Sequence, residues 1–214
     1  MRFGIMAMQL PMLVPSGPPE QVIAQIAQFD HAGLVRRIHQ QGFNLIELGG
    51  DLVLFMPHTY APPAIEGLAR LKEEKGLTYT VHLPLWSVEP STPLRPVREG
   101  SVKAILDCIR ATQPLEPESY VLHATGALAA EFTQMRLPPQ AKALILRQFQ
   151  QSAIHSLKTI LSETNLANRR LAIETGEFPF DLTLEMAELL DLSICLDVGH
   201  VLAGFSGALD VFDV

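Results

Sequence analysis

The chain has 214 residues, 48% of them hydrophobic and 18% charged, with a formal net charge of −7 at pH 7. That length suits one domain with a sizeable core, and no apolar stretch approaches the roughly 18 residues that a membrane span needs. The acidic balance disfavours nucleic acid, whose affinity comes largely from Lys and Arg neutralising phosphates. Two cysteines, Cys108 and Cys195, are too few for a disulfide framework and point to a reducing cytoplasm.

Residues 2–7 read as a first strand rather than part of a signal peptide, because the apolar N-terminus carries an Arg and is broken by Gln9 and Pro11. From 19 to 41, apolar residues recur at Val22, Ile23, Ile26, Phe29, Leu34, Val35 and Ile38, which predicts a helix stopped by Gly42. NLIE at 44–47 is the second strand. A long loop at 49–62 follows it, carrying Phe55, Met56, His58 and Tyr60. A helix at 63–75 closes at Gly76, and YTVH at 79–82 is the third strand. The loop at 84–96 contains Trp86, the only tryptophan. A helix at 96–112, the strand YVLH at 120–123 and a helix at 139–164 come next. The strand LAIE at 171–174, a brief helix at 182–190 and the strand ICLD at 194–197 complete the series.

Short β-prone runs bounded by Gly or Pro are read as buried strands, and their alternation with helices predicts parallel pairing with right-handed crossovers. The expected fold class is α/β, a (β/α)8 TIM barrel, as one domain over residues 1–214. Only a loop and a helical turn fit after Asp197. The sequence is therefore read as a barrel truncated after the sixth strand, two β-α units short.

Strands two to six each end in a metal-compatible side chain: Glu47, His82, His123, Glu174 and Asp197, with His200 three residues beyond the last. Singly, a strand-end His is usually a satisfied polar group and a strand-end Glu pairs with an Arg or caps a helix. Recurrence at equivalent places changes the reading, because the carboxyl ends of barrel strands converge on one mouth. Imidazoles with carboxylates and no thiolate suit Zn²⁺, Mn²⁺ or Fe²⁺ better than Mg²⁺ or Ca²⁺. His82, His123 and Glu174 are expected to form a three-ligand site with an open position. Glu174 has a second oxygen to share with a second metal on Asp197, and His200 starts a third site. Two metals about 3.5–4 Å apart suit in-line attack on phosphorus, which makes Glu174 and Asp197 the expected catalytic carboxylates. Glu47, Phe55, His58, Tyr60 and Trp86 are the expected substrate contacts, since loops on the carboxyl face carry them.

The runs VHLP, LHATG, IETGE and CLDVGHVLAGFSG resemble the metal-binding strands of the xylose-isomerase-like barrel superfamily, most of all its apurinic endonuclease family two branch. The resemblance implies that His82, His123 and Glu174 hold a first zinc, that Asp197 belongs to a second site and that His200 belongs to a third. The family also supplies a His from strand seven, an Asp and a His soon after it, and a Glu from strand eight. Those positions have no counterpart in this sequence, so the second and third sites are expected to be incomplete.

A narrower resemblance, carried by TVHLPLWSVE and LDVGHVLAGFSG, is to the bacterial cobamide-remodelling phosphodiesterases. It implies hydrolysis of a phosphodiester in the nucleotide loop of a corrinoid, a small and bulky substrate, with neither nucleic acid nor membrane as partner. Two other readings stay open. One is a sugar isomerase or epimerase on the same barrel, using a single divalent metal on Glu174, Asp197 and His200. The other is an inactive fragment, or a barrel closed by a second copy.

Overall fold

The structure, a computed structural model, describes residues 2–6 and 17–205. β1 (Gly4–Met6) is followed by α1 (Pro19–Ala27), α2 (His31–Gln40), β2 (Leu45–Gly49), α3 (Pro62–Lys75), β3 (Thr78–His82), α4 (Arg95–Thr112) and β4 (Tyr120–Leu122). Then come α5 (Ala127–Gln134), α6 (Pro139–Thr164), β5 (Leu171–Glu174), α7 (Phe180–Leu190), β6 (Ser193–Cys195) and α8 (Val198–Leu202). Among the described residues the six strands hydrogen-bond in chain order, β1-β2-β3-β4-β5-β6. The pairs β1–β2, β2–β3 and β5–β6 are parallel, as the alternation of strands and helices predicts. The last residue of the expected first strand, Ala7, lies outside the described residues.

Two expectations are corrected. The helix expected over 19–41 is two helices. Asp30 adopts an extended conformation, and its Oδ1 accepts a hydrogen bond from Gly33 N at 2.9 Å, so it starts α2 as an N-cap. Apolar spacing continues across the break, which hides it from a periodicity reading. In addition, residues 127–134, with no element expected there, form α5.

Contacts gather the chain into two compact units. The first comprises Met1–Leu83 and Cys108–Tyr120. Its strands alternate as half-buried strands do, and Ile46, Leu48, Tyr79 and Val81 are at most 1% exposed. Helices α2 and α3 cover them with Leu34, Val35, Ile38, Leu68 and Leu71, all buried. Burying each such aliphatic side chain contributes about 1.5–3 kcal/mol. The Tyr79 hydroxyl donates to Leu68 O at 3.0 Å, which satisfies the one polar atom of a fully buried ring. Gly76 ends α3 in the left-handed region, at φ 62°. Residues leading into β4 bond β3: Val81 N donates to Ser119 O at 3.0 Å and Glu118 N to Tyr79 O at 2.8 Å.

The second unit comprises Pro84–Asp107 and Val121–Val214. Ala129 of α5, Leu146 and Phe149 of α6, and Phe178 and Leu182 around the start of α7 form one buried cluster. Leu171, Ala172 and Ile173 of β5 are also buried. The buried Gln150 ties α6 to α7 by donating to Leu182 O at 3.0 Å. Among the described residues, no helix is long and apolar enough to cross a membrane.

Candidate metal centre

Three apolar residues hold β5 in the second unit, and the strand ends on Glu174. The register pairs Glu174 with Cys195, and Thr175 N extends the pairing by donating to Cys195 O at 3.0 Å. Two residues past β6, Asp197 caps α8, its Oδ1 accepting from His200 N at 3.0 Å. The Asp-x-x-His spacing is thus first a helix start, with His200 carried on the first turn. His123 follows β4 directly.

These four side chains converge. Glu174 Oε2 lies 3.2 Å from His123 Nε2, while its Oε1 lies 3.9 Å from His200 Nδ1. Asp197 Oδ2 lies 3.7 Å from His200 Nδ1. The imidazole rings of His123 and His200 stand nearly perpendicular, 6.0 Å apart. Glu174 is the most enclosed of the four, its side chain 9% exposed, against 34% for Asp197. Glu174, Asp197 and His200 each offer a ligand atom within 4.8 Å of the others.

The tautomer of His200 is set by its neighbour. Its Nδ1 is 2.8 Å from Thr175 O. A carbonyl only accepts, so Nδ1 carries the proton and Nε2 carries the lone pair of the neutral ring. This donor set fits a divalent ion. It combines two carboxylates with two imidazoles, and its central Glu faces His123 Nε2 with Oε2. That suits a borderline cation such as Zn²⁺.

The other expected site residues are carried by earlier elements and their loops. His82 ends β3 in the first unit, buried, with Nδ1 2.9 Å from Leu83 O. Glu47, near the end of β2, accepts from Thr80 Oγ1 at 3.0 Å. His58 Nε2 is 3.2 Å from Phe29 O, and the buried Tyr60 donates its hydroxyl to Gly49 O at 2.9 Å. Phe55 and Trp86 are exposed, at 44% and 51%. Thr175 and Glu89 are not singled out by the sequence. Only the first has a signal, in its place directly after a strand-end ligand.

An alternating α/β order with six strands bonded in chain order defines the β/α-barrel class of fold. The chain belongs to the xylose isomerase-like TIM barrel family, whose description matches residues 35–213. None of the curated proteins matches it significantly. Among solved structures it is similar to a D-tagatose 3-epimerase-like protein, at 19% identity and a TM-score of 0.63, covering 94% of this chain and 66% of that one. It is also similar to endonuclease IV from Thermus thermophilus, at 17% identity and a TM-score of 0.61, covering 95% and 65%. A third similar structure, a Thermus thermophilus protein soaked with zinc chloride, has 17% identity and a TM-score of 0.56, covering 78% and 62%. At these identities the shared property is the fold. The chain spans about two thirds of the length of each of these structures.

Proposed function

We propose that this barrel is a metal-dependent phosphodiesterase acting on a small, bulky phosphodiester. The observation that carries the reading is the central place of Glu174, whose Oε2 lies 3.2 Å from His123 Nε2 and which forms a group with Asp197 and His200 whose ligand atoms lie within 4.8 Å of one another. A carboxylate so placed suits a bridge between two cations, the arrangement that serves in-line displacement at phosphorus. His123, Glu174, Asp197 and His200 would hold the ions, and zinc fits the donor set best. His82, by its strand-end position in the sequence, is proposed to join the same set. When bound, such ions supply Lewis acidity and neutralise the charge that develops on phosphoryl oxygens.

The chain's own groups do the rest. Thr175 O orients His200, and Asp197 Oδ1 fixes the turn that carries it, which leaves Oδ2 as the atom that would bind an ion. Exposed Phe55 and Trp86 supply apolar surface for a large ligand, and the nucleotide loop of a corrinoid is the proposed substrate. That last step rests on the TVHLPLWSVE and LDVGHVLAGFSG runs.

A second reading has its own observation. Glu174, Asp197 and His200 alone form a sufficient three-ligand group, and a similar structure is epimerase-like. One metal there would suit proton transfer beside a sugar carbonyl.

Elemental analysis and substrate assays separate the two. The phosphodiesterase reading expects about two divalent ions per chain. It also expects loss of roughly one ion in His123→Ala, and hydrolysis of a corrinoid or of bis(4-nitrophenyl) phosphate that falls at least about a hundredfold in Glu174→Gln. One ion per chain, unchanged in His123→Ala, with ketose interconversion and no phosphodiester cleavage, would sink it in favour of the epimerase.

A further inference from the structure

We propose that Thr175 is the positioning residue of the metal centre: it locks the Asp197 backbone and the His200 ring in place, one with its hydroxyl and the other with its carbonyl. The inference rests on the metal-centre reading above and adds a residue to it. Thr175 is 1% exposed, and all three of its polar atoms are committed to β6 or the turn after it. Its N donates to Cys195 O at 3.0 Å. Its Oγ1 accepts from Asp197 N at 2.9 Å, and its O accepts from His200 Nδ1 at 2.8 Å.

The residue directly follows Glu174, so one short stretch of backbone sets three of the four clustered ligands relative to each other. A threonine meets the demands of that place. Its β-branched side chain suits extended backbone, and its hydroxyl supplies an acceptor that no aliphatic residue has. Without that acceptor the Asp197 N–H loses its partner, and the turn that carries Asp197 and His200 is free to shift. Groups that orient metal ligands typically govern metal affinity by 10–100-fold.

The first test needs neither metal nor turnover. Long-range ¹H–¹⁵N NMR of the chelator-treated wild type should show His200 as a single tautomer, protonated on Nδ1. Hydrogen exchange at the Asp197 amide should be at least about tenfold faster in Thr175→Val than in wild type or Thr175→Ser. Zinc titration against a chromophoric chelator should then give a 10–100-fold weaker Kd for Thr175→Val, with Thr175→Ser within about threefold of wild type. Thr175→Ala serves in place of the valine variant if that one fails to fold.

A His200 proton on Nε2 would overturn the proposal. So would wild-type amide exchange and zinc affinity in Thr175→Val. A wild-type chain that binds no zinc defeats the metal reading instead, and the tautomer and exchange data still decide what Thr175 does.

Discussion

His31 shows how one buried group makes stability depend on pH. It lies at the start of α2, 3% exposed, with its ring 5.7 Å from that of Phe29 and 5.4 Å from that of Tyr60. Burial pushes its pKa down from 6.5 to about 4, against the smaller opposing pulls of the Thr59 carbonyl and Asp30. The unfolded chain therefore binds the proton more readily between these two values, and stability rises with pH across that window. The contribution is fully present above pH 6.5 and is lost as pH falls toward 4. On this basis the wild type should lose about 2 kcal/mol more than His31→Phe between pH 7 and pH 5. Urea unfolding of both proteins at the two pH values measures the difference, and parallel losses would show that His31 is not the group responsible.

At the scale of elements, α5 depends on a residue far away in sequence. Glu89 accepts from Gly126 N and Leu128 N, each at 2.9 Å, and so caps the first turn of an eight-residue helix. The approach is close: a Cβ on Gly126 would sit 2.6 Å from Glu89 Oε2 and 2.9 Å from Val88 O. Glu89→Ala should cost about 1–3 kcal/mol, because donors at a helix start lose a charged acceptor. Gly126→Ala should destabilise as well, since backbone has to move. Chemical denaturation followed by far-UV circular dichroism tests both, and unchanged midpoints would show that α5 stands without this cap.

The same example explains what is legible in the sequence. Long, periodic or well-bounded elements such as α6 and β5 are readable because their own residues specify them. Helix α5 is not, because its start is specified from residue 89. The break before α2 is hidden for a different reason: Asp30 signals a cap, but the apolar repeat runs through it. At the site, His123, Glu174, Asp197 and His200 are legible from their place after β-prone runs. Thr175 makes its bonds through a main-chain carbonyl and a hydroxyl, and its only mark in the sequence is its place directly after Glu174.

For the molecule as a whole, metal binding and folding should be coupled, because the donors of the centre come from the ends of β4, β5 and β6 and are separated in the unfolded chain. Free zinc at a hundredfold excess over its Kd should stabilise the fold by about 2.7 kcal/mol. For a chain of 214 residues that corresponds to a rise in Tm of roughly 5–10 °C, reversed by a chelator. Differential scanning calorimetry with and without zinc checks this, and a Tm indifferent to both would mean that the centre does not hold the ion in the folded state.

The bonds that brace the centre run from Thr175 to Cys195, Asp197 and His200, whereas Phe55 and Trp86 stand exposed on the loops after β2 and β3. On the proposed function, reactivity and selectivity would therefore be inherited through different stretches of the chain. A lineage could then rewrite the two loops, one surface residue at a time, while the centre passes on intact. Mutagenesis aimed at a new specificity would have the same freedom there, and at Thr175 only as far as serine.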